Sequence, residues 1–206
     1  MKILLISDVE EPALWDYYRP GMLRDCDLIL SAGDLKAAYL EFLVTMANRP
    51  LIYVHGNHDL RYLSEPPEGC ECADDRLITV NGLRILGLGG SGWYGGSTFQ
   101  YTEREMEKRI RRLRRAIRKA GGVDLILAHA PVRGYGDDDT AAHRGFEAFL
   151  PLIDELHPRY FVHGHVHLNY NNASRRVYQR GETTIINAFG RCVLDTEKSA
   201  EELPVK

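Results

Sequence analysis

Acidic, amide and imidazole side chains follow five separate apolar runs of this sequence, each close to the residue where the run ends. In chain order they are Asp8 and Glu10, Asp34, Asn57 with His58 and Asp59, His129, and His165 with His167. In an open α/β sheet, functional groups gather at the carboxyl ends of the strands, where the chain turns out of the sheet. If the apolar runs are strands, their spacing predicts one shared site built from distant segments.

These side chains suit hard or borderline divalent cations, because carboxylates and neutral imidazoles without thiolates are ligands of Mn²⁺, Fe²⁺ and Zn²⁺. They are too numerous for one ion. Two ions about 3.5–4 Å apart, bridged by a carboxylate and a hydroxide, match their number. Such a pair lowers the pKa of the bridging water and offsets negative charge that develops on phosphoryl oxygens. The ligand chemistry therefore favours a two-metal site that acts on a phosphoryl group.

The elements that must position these residues alternate along the chain, which is typical of an α/β architecture. Apolar runs predict strands at 2–7, 27–31, 51–54, 77–80, 83–88, 123–128 and 159–162. Apolar residues at helical spacing predict helices at 12–24, 36–47 and 102–120, and another over 146–153 that Pro151 kinks or interrupts. Three consecutive antiparallel strands are expected at 177–180, 183–187 and 192–195, and the polar end at 197–206 is expected to fray.

Local signals support some of these elements. Asn81-Gly82 suits the tight turn of a hairpin, and Thr102 with Glu105 forms a capping box at a helix start. The glycine-rich stretch 87–96 predicts a loop that carries Trp93-Tyr94. Two interpretations of this pair stay open: the rings stack on a flat substrate group, or they anchor the loop on the core.

The chain has 206 residues, of which 44% are hydrophobic, and a formal net charge of −3. These values predict one packed domain over 1–206 and argue against wholesale coating of nucleic acid. No apolar run approaches the roughly 20 residues of a membrane helix, and the run at 3–6 is too short for a signal peptide. The four cysteines contain no CxxC pair and are expected to be reduced thiols, so we expect a cytoplasmic protein without a membrane partner.

The ordered motifs resemble those of the calcineurin-like metallophosphoesterases. The resemblance spans residues 3–167 and rests on Asp8-Val9-Glu10, Gly33-Asp34, Gly56-Asn57-His58-Asp59, His129 and Gly164-His165-Val166-His167. It implies an α/β fold in which a two-sheet sandwich is flanked by helices. It also implies a metal-dependent phosphoric ester hydrolase with a dinuclear centre, acting on a small phosphomonoester or phosphodiester.

The same resemblance implies a role for each matching residue. The first metal ion would take Asp8, Glu10, Asp34 and His167, and the second would take Asp34, Asn57, His129 and His165. Asp34 would bridge the two ions. His58 would be the general acid at the leaving oxygen, and Asp59 would orient it.

Glu10 departs from the pattern, because the third position of the first motif is usually histidine. A carboxylate there adds negative charge and hardens the site, which favours Mn²⁺ or Fe over Zn²⁺. The alternative is that Glu10 does not reach the metal.

The segment 131–144 lies between a ligand-bearing strand and a helix. Arg133, His143 and Arg144 would make a phosphate-facing wall there, or the segment is a solvated loop whose charges cancel. His55 and His163 alternate with the site residues and are expected to pack or hydrogen-bond behind them.

Two other functions compete with the small-molecule hydrolase. A nuclease would use the basic residues of the helix at 102–120 to hold a nucleic-acid backbone, although a solvated helix face is the commoner explanation of such a run. A catalytically weak interaction module would keep the metal without turnover. Against the module, Asp34, Asn57 and His58 are all present.

Overall fold

The computed structural model describes residues 1–96, 98–168 and 175–198, and these contain thirteen strands and three α-helices. The strands are β1 (Lys2–Ser7), β2 (Leu28–Ser31), β3 (Leu51–Tyr53), β4 (Glu71–Cys72), β5 (Leu77–Val80), β6 (Leu83–Leu88), β7 (Ser91–Gly92), β8 (Gln100–Tyr101), β9 (Leu125–Ala128), β10 (Tyr160–His163), β11 (Val177–Arg180), β12 (Thr183–Asn187) and β13 (Gly190–Asp195). The helices are α1 (Ala37–Ala47), α2 (Glu103–Ala120) and α3 (Phe149–Leu156), and short 3₁₀ helices cover Pro12–Leu14 and Asp59–Leu63.

The strands form two large sheets and one small pair. The first sheet has the order β13-β1-β2-β3-β4, and the second has the order β11-β12-β10-β9-β6-β5. Strands β1 to β4 run parallel, as do β6, β9, β10 and β12, while β13, β5 and β11 are antiparallel edge strands. The carboxyl ends of the inner strands of each sheet therefore open toward one edge.

Three hydrophobic clusters fix the order of the layers. The central cluster joins the facing sides of the two sheets, for example Leu5 with Leu127 and Val162. Helix α1 covers the outer side of the first sheet, and α2 with α3 covers the outer side of the second. The expectation of a two-sheet α/β sandwich flanked by helices is confirmed.

Several local predictions agree with the structure. Asn81 and Gly82 occupy the β5–β6 turn with φ of 50° and 81°, as a tight hairpin turn requires. Thr102 caps α2, and its hydroxyl and the Glu105 side chain satisfy each other's backbone N–H groups in a complete capping box.

Three predictions were wrong. The segment 12–24 forms only the 3₁₀ turn Pro12–Leu14 and then a series of turns, because Pro20 and the left-handed Gly21 interrupt a helix. Pro151 lies in the first turn of α3 and does not kink it, since N–H groups there have no acceptor within the helix. The strand β13 does not continue the β11–β12 hairpin and pairs with β1 in the other sheet.

Two further observations bear on earlier expectations. Most of the segment expected to fray lies outside the described residues, which end at 198. Within the described ranges, none of the helices combines the length and apolar composition needed to cross a membrane.

Candidate metal centre

The chain turns sharply where strands of both sheets end. Asp8, Asp34 and His165 adopt left-handed backbone conformations, with φ of 67°, 57° and 67°. Non-glycine residues rarely adopt this conformation, and it recurs where the surrounding structure holds a functional group in place. A Cβ at Gly56 would lie 1.9 Å from Asp34 Oδ1, and one at Gly164 would lie 1.9 Å from Ser7 Oγ. Glycine is therefore required at both positions for the segments to approach each other.

Four ligand atoms converge on one point between the sheets. His129 Nε2 lies 3.0 Å from Asn57 Oδ1, 3.1 Å from His165 Nδ1 and 3.3 Å from Asp34 Oδ2. The opposite ring nitrogens contact carbonyl oxygens, His129 Nδ1 at Ala32 (2.7 Å) and His165 Nε2 at Ala142 (2.6 Å). A carbonyl only accepts hydrogen bonds, so these nitrogens carry the protons.

The remaining nitrogens, His129 Nε2 and His165 Nδ1, therefore present lone pairs in the neutral rings. Together with the Asn57 and Asp34 oxygens, these two nitrogens form a group of four acceptor atoms. None of the four donates a hydrogen bond to another when the rings are neutral, and a cation bound between them would satisfy all four. The donor set fits a divalent metal ion.

The pKa values of Asp34, His129 and His165 depend on one another. Burial disfavours the charged form of Asp34, but His129 outweighs it and lowers the pKa of that carboxyl to about 2. Burial likewise opposes protonation of His129, yet the charge and hydrogen bond of Asp34 raise its pKa to about 9. Burial and the neighbouring His129 lower the pKa of His165 to about 3. The negative charge of Asp34 and the protonation of His129 therefore favour each other.

Asp8 and His167 lie beside this group of four. The Asp8 carboxylate is almost fully buried and accepts the His165 backbone N–H through both oxygens, at 3.0 and 3.1 Å. Its Oδ1 lies 3.9 Å from His167 Nε2, and the His167 ring packs on Phe189 at 4.5 Å. A cavity of about 240 Å³ opens from solvent onto Asp8, Asp34, His165 and His167, and it is lined also by His58, Tyr94 and His143.

His58 lies at the cavity, whereas the Asp59 carboxylate contacts groups other than the His58 ring. His58 is exposed at the cavity wall, and its backbone N–H donates to Asp34 Oδ1 at 2.8 Å. The buried Asp59 carboxylate accepts the backbone N–H groups of Asp34 (2.8 Å) and Gly56 (2.7 Å). Among the described residues no hydrogen bond joins Asp59 to the His58 ring. Asp59 instead ties together the two segments that carry Asp34 and Asn57.

Glu10 does not join the other predicted ligands. Its Oε1 accepts the backbone N–H of Lys36 at 3.2 Å and lies 3.6 Å from Lys36 Nζ. In the part of the chain that the structure describes, the compact ligand group at this site is Asp34, His129 and His165, without Glu10. This placement favours the alternative in which Glu10 does not reach the metal.

The three residues expected to face a phosphate are also separated. Arg133 is bound by two carboxylates of its own loop, Asp137 at 2.8 Å and Asp139 at 3.0 Å. Arg144 donates to the Asp139 carbonyl at 3.1 Å. His143 alone of the three lines the cavity, and its Nδ1 lies 3.0 Å from Thr140 Oγ1. The charges of this loop largely cancel within it.

Tyr94, whose role stayed open above, contacts one of the proposed metal ligands. Its hydroxyl accepts from Asn57 Nδ2 at 2.8 Å, which turns the amide so that Oδ1 faces His129. The side chain of Gln100 accepts the backbone N–H groups of residues 94, 95 and 96, which holds this loop against β8. Trp93 is exposed. The Ala32 and Ala142 carbonyls were missed altogether, because backbone acceptors leave no signal in residue type.

The two other histidines pack behind the ligands, as expected. His163 is fully buried and its Nδ1 donates to the Gly164 carbonyl at 3.0 Å. His55 Nδ1 lies 2.5 Å from Asp74 Oδ2, and its ring stacks on Phe99 with a centroid distance of 4.4 Å.

The basic run of α2 is only partly a solvated face. Arg109 is buried, donates to Asp75 Oδ1 at 2.7 Å and to the Gly89 carbonyl at 2.7 Å, and packs over the Tyr101 ring. Arg114 pairs with Glu155. The other basic residues of the run are exposed, namely Lys108, Arg111, Arg112, Arg115, Arg118 and Lys119.

Comparison with known proteins identifies relatives of this chain. The model of the calcineurin-like phosphoesterase family matches residues 1–169. The UPF0046 protein K07C11.7 of Caenorhabditis elegans is 26% identical over 213 residues, which cover 91% of this chain and 69% of that protein. The crystal structure of TT1561 of Thermus thermophilus superposes with a TM-score of 0.70 at 19% identity, covering 98% of this chain and 96% of that one, and has the same fold. Because the family model spans most of the chain and the strand ends bring side chains together that could hold a metal ion, this chain belongs to the calcineurin-like phosphoesterase family and is a metal-dependent hydrolase of phosphoric esters.

Proposed function

We propose that the chain hydrolyses a small phosphoric ester, mono- or diester, with two divalent metal ions. One ion would be held by Asp34, Asn57, His129 and His165, and the other by Asp8, Asp34 and His167, so that Asp34 bridges them. The observation that carries the proposal is the convergence of the Asn57, Asp34 and His165 acceptor atoms within 3.3 Å of His129 Nε2. Four acceptors around one point call for a cation.

The ligands come from both sheets, which supports the proposal that residues 1–206 act as one domain. Asp8, Asp34 and Asn57 follow strands of the first sheet, whereas His129 and His165 follow strands of the second. Separating the sheets would divide each proposed ligand set.

The ions would supply Lewis-acid activation of water and positive charge against the phosphoryl oxygens. The protein's own residues do the rest. His58 stands at the wall of the cavity, where its ring can give a proton to the leaving oxygen. Asp59 holds the backbone on both sides of the site, and Tyr94 fixes the orientation of the Asn57 amide.

Mn²⁺ is the proposed metal, with Fe or Zn²⁺ as alternatives, because the ligands are carboxylates, an amide and imidazoles and include no thiolate. All four cysteines are free thiols. Free thiols fit a reducing compartment, which supports a cytoplasmic location.

The test compares two substitutions in the Mn²⁺-loaded protein. Asp34→Asn should lose both bound metal and hydrolysis of an aryl phosphate, because Asp34 would bridge the ions. His58→Asn should keep the metal and lower turnover by about 10²–10⁴-fold, which is the usual contribution of a general acid. Metal content by elemental analysis and steady-state rates check both variants.

A control variant is Asp138→Asn, an exposed acidic residue outside the site, which should match the parent in both measurements. Full metal content and full rate in Asp34→Asn would refute the ligand assignment. Stoichiometric metal with no turnover on any phosphoester would instead favour a non-catalytic module.

A further inference from the structure

A second, larger cleft adjoins the metal-centre cavity. It has a volume of about 410 Å³, and it shares Asp34 and His58 with the smaller cavity. The two spaces therefore meet at the residue to which we assign the leaving-group proton. From there the cleft runs between the start of α1 and the 3₁₀ helix Asp59–Leu63.

The floor of this cleft is apolar. Leu35 and the Tyr62 ring are buried, and the Tyr62 hydroxyl is already used, since it donates to the Leu35 carbonyl. Ala37 and Ala38 form the wall on the α1 side. Because these groups offer a flat, largely hydrophobic surface, they favour an organic group over a second phosphate.

Four charged residues at the rim of the cleft form two ion pairs. Lys36 Nζ lies 3.6 Å from Glu10 Oε1, and Arg61 donates to Glu65 Oε2 at 3.2 Å. Each pair contributes one positive and one negative charge at the rim, so these four residues favour neither an anion nor a cation, while the Asp34 and Asp59 carboxylates of the lining disfavour an anion. A charged group would lose its hydration at this rim without gaining an unpaired partner, whereas an uncharged group avoids that desolvation penalty.

We propose that this leaving-group cleft binds the uncharged organic part of the substrate that departs on hydrolysis, a group of at least aryl size. The inference rests on the proposed function. In an in-line displacement the leaving oxygen departs opposite the nucleophile, on the side of the general acid. A phosphoryl group at the metal ligands with its ester oxygen toward His58 places the attached alcohol in this cleft. Its volume lies within the roughly 300–1,000 Å³ of small-molecule sites.

The experiment fills the cleft from its exposed wall. Ala38→Trp places an indole where the alcohol would lie, and Ala38→Leu fills it in part. Thr45→Trp, on an exposed position of the same helix that does not line the cleft, is the matched control. Binding of phenol, an uncharged alcohol, to the metal-free protein is measured by ligand-observed NMR. Hydrolysis of phenyl phosphate and of monofluorophosphate, whose leaving group is one atom, is measured with Mn²⁺.

Phenol should bind the parent and Thr45→Trp equally and should bind Ala38→Trp at least about tenfold more weakly, with Ala38→Leu between them. Ala38→Trp should raise the KM for phenyl phosphate by a similar factor and leave monofluorophosphate hydrolysis unchanged. Absence of phenol binding to the parent, or equal binding to Ala38→Trp, would overturn the proposal. Phenol binding blocked by Ala38→Trp without hydrolysis of either substrate or of any phosphodiester would refute the proposed function, and the assignment of the cleft to a leaving group with it.

Discussion

Asp34 contacts three other residues of the site. Its Oδ1 accepts the backbone N–H of His58, its Oδ2 faces His129, and its own N–H donates to Asp59. The left-handed backbone at Asp34, with φ of 57°, lets all three contacts form at once. A residue that would bridge two ions is thus fixed by the protein on every side, which reduces the reorganisation that metal binding requires.

Glu10 shows the limit of reasoning from a motif at the residue scale. The sequence position matches a metal ligand, whereas the side chain pairs with Lys36. We predict that Glu10→Gln retains the metal content of the parent, because the carboxylate is bound elsewhere. Elemental analysis of the Mn²⁺-loaded protein measures this directly.

The matched control for that prediction is Asp8→Asn, which alters a buried carboxylate beside His167 and should lower the metal content. Loss of metal from Glu10→Gln to the same extent as from Asp8→Asn would show that Glu10 moves onto the ion, as its place in the motif suggested.

At the scale of elements, the loop between β9 and α3 holds part of the site in place through its backbone. The Asp137 carboxylate accepts from Arg133 and from the backbone N–H groups of Gly134 and Gly145. This fold of the loop presents the Ala142 carbonyl to His165 Nε2. Arg133 therefore acts as a support of the loop, and its charge is matched before any substrate arrives.

We predict that Asp137→Ala loosens this loop and destabilises the protein by about 2–3 kcal/mol, because three donors lose a largely buried acceptor. Turnover should fall as well, since His165 loses a fixed partner. Urea unfolding gives the free energy of unfolding, and hydrogen exchange over residues 133–145 shows where protection is lost.

Asp138→Ala is the control, because Asp138 is exposed and accepts only from the Thr140 backbone N–H among the contacts described. It should change stability by less than about 0.5 kcal/mol. Equal effects of the two substitutions would mean that the Asp137 contacts do not hold the loop.

Elements with a strong local pattern were predictable from the sequence, and those set by distant contacts were not. The α2 capping box and the Asn81-Gly82 turn depend on residues adjacent in the chain. The pairing of β13 with β1 joins residues nearly 200 positions apart, which no local pattern encodes. The same holds for the site. The candidate ligands could be predicted from the residue types that follow the strands. The contact of Glu10 with Lys36 could not, because it depends on how α1 packs against β1.

At the scale of the whole molecule, the proposed ligand residues form polar contacts between the two sheets of the sandwich. The Asp34–His129 pair joins the end of β2 to the end of β9, and Asp8 accepts from the backbone after β10. Protonation of these groups therefore changes the contacts between the two sheets in the metal-free protein, and the free energy of unfolding should depend on pH.

We predict that the metal-free protein is most stable near pH 6.5, the ordinary pKa of histidine. Burial opposes the charge on His129, but Asp34 raises its pKa to about 9, so its contribution is complete below 6.5 and is lost as pH rises through 9. Burial lowers the pKa of His163 to about 4 and of His165 to about 3, so their contributions are present above 6.5 and are lost as pH falls toward those values. Urea unfolding from pH 5 to 9.5 with a chelator measures the curve. His129→Gln should reduce its alkaline slope but not abolish it, because burial opposes protonation of His55 while its hydrogen bond with Asp74 raises the pKa of that residue to about 9 as well. An unchanged alkaline slope in that variant would show that the Asp34–His129 pair does not couple the sheets.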